Sequence, residues 1–152
     1  MMQAFSRVAN EIHIEYSREL MFYRKYHTHI LNNAIHIICI PLEWASFLLI
    51  ISPTHLQYLV SIILLPYHIL AKPYFSIIIG IFHLILAFMC GIINSKIGPI
   101  ASFQIALVVQ VVSWLLQVVI GHILVERNAP SMTQNISFYS IIFSVLMALD
   151  PF

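Results

Sequence analysis

The chain has 152 residues, of which 61% are hydrophobic and only 9% charged, and its mean hydropathy is +0.92. A soluble domain carries about 25% charged residues, and a single small core has no room for such an apolar excess. Composition therefore excludes a soluble globular protein and predicts an all-α, polytopic transmembrane helix bundle. Net charge is +1, from seven Lys/Arg and six Asp/Glu. It offers no basic or acidic bias that would fit nucleic acid.

The first 33 residues are polar and mixed in charge, with Glu11, Glu15, Glu19, Arg18, Arg24 and Lys25. They lack the apolar h-region of a secretory signal, so targeting is expected to rest on the first spanning segment. Glu11, Glu15 and Glu19, spaced four apart, share one helical face. Residues 4–28 are predicted to be an amphipathic, solvated or interfacial helix.

Five apolar runs follow, Ile35–Ser52, Leu56–Ala71, Tyr74–Asn94, Ile100–Val125 and Ile136–Leu149. The third and fourth are long enough to span a core about 30 Å thick. The second and fifth are short, so about five spanning or partly spanning helices are expected in one domain covering 1–152. Pro41 and Pro66 are expected to kink the first and second runs. Breaks are expected at Ser52-Pro53-Thr54, Lys72-Pro73, Gly98-Pro99 and the polar turn Arg127-Asn128-Ala129-Pro130. Cys39 and Cys90 lie inside apolar runs, read as small buried hydrophobes, and two cysteines are too few for a disulfide framework.

If every run crosses, Arg7, Arg18, Arg24, Lys25, Lys72 and Arg127 share one side, and only Lys96 lies opposite. That split predicts a cytoplasmic N-terminus. It also places His36, at the start of run one, on the same side as His122 and Glu126, at the end of run four.

Eight histidines in so apolar a chain stand out, because ionisable groups in a membrane are costly and mark function by default. His13 and His55 read as surface or interface histidines. His68 and His83 read as structural histidines bonded to a neighbouring helix. The stretch from Tyr26 to His36 crowds His27, His29, His36, Asn32 and Asn33 at a membrane boundary. On one continuous helix His29, Asn32, Asn33 and His36 share a face, while His27 and His36 stand about 180° apart. A break with Asn32 or Asn33 as N-cap would lift that restriction. Further on, His122 and Glu126 are four apart on one face and suit a cation. Gln110, Trp114, Gln117 and Gly121 form a packing stripe, and on a straight helix Gln117 is about 140° from His122.

These two stretches are also where the chain resembles the yeast-type membrane 2-hydroxy fatty acid dioxygenase family. The first block is Tyr26-His27, Asn32, His36 and Ile40-Pro41. The second is Trp114, Gln117, Gly121-His122, Glu126, Pro130 and Asn135. Four positions depart from the family pattern: Ile30 for a proline, Ile123 for a glycine, Gln134 for an acidic residue and Asp150 for a glutamate. The resemblance covers residues 20–45 and 110–150.

The resemblance implies an enzyme that uses Fe(2+) and O₂ to shorten a 2-hydroxy fatty acid by one carbon. It implies His27, His36 and His122 as metal ligands; His29, which spacing favours and the family pattern does not, is held in reserve. Glu126 is a catalytic candidate as fourth ligand, partner of a ligand or proton acceptor. Asn32 and Gln117 are candidates to orient ligands or bind the substrate head. The expected partners are the fatty acid, O₂ and the lipid bilayer. The expected location is the endoplasmic reticulum membrane if eukaryotic, or the inner membrane if bacterial. Competing expectations are a non-catalytic bundle that binds lipid or a partner protein, and a transporter using His68, His83 and Glu43 at the midplane. The transporter lacks paired broken segments and repeats.

Overall fold

The computed structural model describes residues 2–128, 130 and 137–150, with side chains excepted at 2, 4, 74, 76 and 138. Gln134, Asn135 and the start of the fifth apolar run lie outside the described residues. The fold is all-helical, with no strand among the described residues.

Helix α1 (Met2–Tyr26) buries Ile12, Tyr16, Glu19 and Tyr26, a stripe set by the 3.6-residue period. Glu11 stays exposed, as an interfacial helix predicts. Glu19 does not: it is buried and accepts a 2.6 Å hydrogen bond from Ser137 Oγ. The expectation of one solvated acidic face is corrected there, because helix packing turns the third carboxylate inward.

After Tyr26 the helix breaks. Helix α2 (Ile30–Ile51) starts with His29 as N-cap, its ring nitrogen accepting from Leu31 N at 3.1 Å. The break thus falls ahead of Asn32 and Asn33, and a histidine caps the helix in place of either asparagine. The helix continues through Pro41.

A short 3₁₀ turn (Ser52–Thr54) and His55, in the left-handed region at φ 60°, lead into α3 (Leu56–Ala71). Helix α4 (Pro73–Ile97) follows, then Gly98 at φ 82°, a conformation that favours glycine, and α5 (Pro99–Leu115). Helix α5 runs on into a π-helix, Leu116–Glu126, which stops at Arg127 with φ 55°. Two short helices end the described chain, α6 (Phe138–Ile142) and α7 (Ser144–Leu149).

Among the described residues, three segments are long and apolar enough to cross a membrane: Ile30–Thr54, Ile77–Ile97 and Pro99–Glu126. Helix α3, with 16 residues, reaches about 24 Å at 1.5 Å per residue. Large apolar side chains such as Phe88, Phe103 and Val108 lie exposed on α4 and α5. A water-facing surface rarely carries so broad an apolar patch.

Polar contacts show which ends lie together. His13 Nδ1 donates to Ala71 O at 2.8 Å, and Lys72 Nζ lies 2.6 Å from both carboxylate oxygens of Asp150. Tyr16 donates to Asp150 at 2.6 Å. The end of α3 and residue 150 therefore share the α1 face. Ser137 bonds Glu19 and Asp150 bonds Tyr16, so the described part of run five meets α1 at both ends. Between them Phe143, Val145 and Leu146 are fully buried. The break between its two helices lets the chain turn in against the core and come back.

Candidate metal centre

His27, His36 and His122 converge. Their ring centroids lie 4.3 Å (His27–His36), 4.8 Å (His27–His122) and 5.0 Å (His36–His122) apart. All three are buried, and one potential ligand atom from each lies within 4.8 Å of the others. It is the break after Tyr26 that brings His27 and His36 to one point, which a continuous helix forbids.

Two of the imidazoles are oriented by backbone carbonyls four residues before them. His27 Nδ1 lies 2.6 Å from Tyr23 O, and its ring stacks on Tyr23 at 3.8 Å with a 12° interplanar angle. His36 Nδ1 lies 3.0 Å from Asn32 O. A carbonyl only accepts, so both Nδ1 atoms carry the proton and both Nε2 atoms present a lone pair. His27 Nε2 and His122 Nδ1 are buried without a hydrogen-bond partner among the described residues. Burial, and then His36 beside it, lowers the His27 pKa to about 3. The ring is neutral at pH 7, the state in which imidazole binds metal. Buried orphan nitrogens, oriented by bonds to carbonyls on the far side of the ring, are what a metal-binding histidine needs. The residues present fit a transition metal.

Glu126 does not join this triad. Its Oε1 accepts from Thr28 N at 2.8 Å and from the Thr28 hydroxyl, and its Oε2 accepts from His29 N at 3.0 Å and Asn32 Nδ2 at 3.1 Å. Of the three roles open to it, this geometry fits the partner that orients ligands. Asn32 is fully buried and stands behind His36, so it too fits ligand orientation more closely than contact with substrate. His29 is exposed and spent on capping, which removes it from the cluster.

Gly121 explains how close the two stretches come. A Cβ there would collide with Asn32 Oδ1 and lie 3.6 Å from the His36 ring. The π-helix settles the position of Gln117. With hydrogen bonds from i to i+5, residues five apart lie over one another, so Gln117 and His122 line the same cavity. The 140° separation expected of a straight helix is corrected by the wider turn.

The cavity measures about 490 Å³ and has the triad in its wall. From His36 it runs along α2 past Ile40, Glu43 and Trp44 to Phe47, about 16 Å at 1.5 Å per residue. Glu19, Tyr23 and Glu43 also line it, and sequence reasoning gave none of them a part in a site with the triad. Two spacings carried the signal. Glu19, Tyr23 and His27 are four apart, and Glu43 is seven after His36 on the same face.

His68 and His83 lie apart from the cavity walls, with ring centroids 5.2 Å apart. His68 Nε2 donates to Ile142 O at 3.0 Å, as expected of a structural histidine. Glu43 turns to Gln117 instead, and among the described residues only the His27, His36 and His122 group gathers three potential ligands.

A family model described as 2-hydroxy-palmitic acid dioxygenase Mpo1-like matches residues 14–152. The chain belongs to this family. The Mpo1-like match takes in both histidine stretches, α1 from Ile14 onward and the central helices, and so covers every cavity residue named above. No curated protein and no solved structure matches the chain.

Proposed function

We propose that this Mpo1-like protein is an Fe(2+)-dependent dioxygenase that shortens 2-hydroxy fatty acids by one carbon with O₂. The observation that carries the reading is the buried set of three imidazoles in the wall of a largely apolar cavity. Pockets of about 300–1,000 Å³ suit a ligand of this size.

His27, His36 and His122 would hold the iron. Imidazole ligands with open positions suit Fe(2+) that must also take O₂ and an α-hydroxy-carboxylate. When bound, the metal would supply O₂ activation for the C1–C2 cleavage, with O₂ as the oxidant and the 2-hydroxy acid as the source of the electrons. The chain's own residues do the rest. Tyr23 and Asn32 fix the His27 and His36 rings through their carbonyls. Glu126 locks the Thr28–Asn32 turn on which that geometry depends. Gln117 faces the substrate head. Trp44, Phe47, Trp114 and Met147 give the acyl chain an apolar path and keep water from it. We place the N-terminal face in the cytoplasm, since six of the seven basic residues belong to it.

Purified protein reconstituted anaerobically should bind about one iron per chain and consume O₂ with 2-hydroxypalmitate. Separate alanine substitutions at His27, His36 and His122 should each abolish both iron retention and turnover, whereas His29→Ala should keep them. Full turnover in any one of the three would strike that residue from the ligand set, and no O₂ uptake by the iron-loaded wild type would refute the function.

A further inference from the structure

We infer that the side-chain oxygen of Gln117 selects a 2-hydroxy acid over an unsubstituted one, and that Glu43 is the positioning residue that turns this oxygen toward the ligand. The inference rests on the function proposed above and concerns how the same site reads its substrate.

Gln117 is buried, and its amide has one permitted orientation. Nε2 lies 2.6 Å from Glu43 Oε1 and 3.3 Å from Ser113 O. The backbone carbonyl can only accept, and the carboxylate accepts too, so the amino group must be the atom between them. Both of its hydrogens are then taken. What remains for the cavity is Oε1, which can accept and cannot donate.

Position gives this oxygen its meaning. Gln117 sits one π-turn before His122, on the same side of the helix, and its amide meets Glu43 on α2, between the triad and the Phe47 end of the cavity. A ligand group meeting Oε1 there belongs to the polar head of an acyl chain. The head of a 2-hydroxy acid carries a hydroxyl on C2, a donor. An unsubstituted acid offers only C–H at that carbon and leaves a buried acceptor unpaired, the arrangement that lets an enzyme reject an analogue lacking one hydroxyl.

Glu43 is otherwise costly where it stands. It lies within the apolar segment Ile30–Thr54, and among the described residues no Lys, Arg or His forms an ion pair with it. The hydrogen-bond donor its carboxylate meets there is Gln117. A carboxylate kept at membrane depth to hold one neutral amide is explained if the orientation of that amide matters.

The test compares dissociation constants for 2-hydroxypalmitate and palmitate on iron-loaded protein in phosphatidylcholine nanodiscs without O₂. Wild type should favour the hydroxy acid, and Gln117→Met should lower that preference by about tenfold, with iron content and palmitate affinity held within about twofold. Glu43→Gln supplies an amino group that can turn the Gln117 amide over, and it should lower the preference by about threefold. An unchanged preference in Gln117→Met overturns the inference. Loss of iron or of palmitate binding in that variant overturns it too, since the amide would then be a packing element. An unchanged preference in Glu43→Gln removes Glu43 from the device. Wild type that prefers 2-hydroxypalmitate yet consumes no O₂ refutes the dioxygenase alone, and wild type that turns over while Gln117→Met keeps the preference refutes the selectivity alone.

Discussion

Asn32 and Glu126, ninety-four residues apart, are joined by a 3.1 Å hydrogen bond from Nδ2 to Oε2. It closes a ring of contacts in which the last residue of the π-helix takes up the backbone N–H groups of Thr28 and His29. Those donors stand where α2 begins, and a helix start leaves its first N–H groups without intrahelical partners. Glu126 thus ties the strand of chain carrying His27 to the helix carrying His122.

Glu126→Ala should release that tie. Thr28 and His29 are exposed, so water can replace part of the loss, and the stability cost should be about 1–2 kcal/mol. Iron affinity should fall about 10–100-fold, as for removal of a group that orients ligands. Thermal unfolding and iron titration check the two figures, and an unchanged iron affinity would refute the orienting role.

Gly121→Ala forces a Cβ into Asn32 Oδ1. The Asn32 side chain is held by Tyr26 O and Glu126, so it cannot swing away freely. Overpacking of this kind costs about 1–3 kcal/mol. The expected outcome is a lowered unfolding temperature together with weakened iron binding, because the collision separates His36 from His122. Normal iron content in a stable Gly121→Ala protein would show that the approach of the two helices is not needed.

Asp150 gathers Tyr16, Lys72 and Arg24 around a carboxylate that is 1% exposed. Tyr16 remains a donor because burial, and then Asp150 itself, raises its pKa above the usual phenol value. Breaking a buried pair costs about 3–5 kcal/mol. Lys72 is over one-third exposed, so Asp150→Ala should cost about 2 kcal/mol. Limited proteolysis should then cut near α7 sooner, while the iron-to-protein ratio stays as in wild type.

Accessibility labelling gives a separate check of the topology. Cysteines placed at Arg7, Lys72 and Arg127 should all react from one side of the membrane, and one at Lys96 from the other. A label at Lys72 opposite to Arg7 would require α3 to stop short of crossing.

Much of this was legible in the residues. Composition alone demands an apolar solvent, since so few charges cannot coat a water-facing surface. The two boundary stretches stood out because polar side chains clustered at membrane edges are costly unless used, and the family resemblance singled out His27, His36 and His122 within them. Other features depended on contacts between distant segments. Whether His27 or His29 joins His36 turned on a helix break three residues before Asn32, and His29 was lost to capping. Gln117 reached the cavity through a π-helix, and no local periodicity announces five-residue hydrogen bonding. Glu19 looked solvated until Ser137, 118 residues away, supplied its donor. The sequence determined which groups are too polar for the bilayer to accept unpaired; only the tertiary structure decided which of them satisfy one another and which are left facing the cavity, because pairing depends on where the backbone breaks and turns.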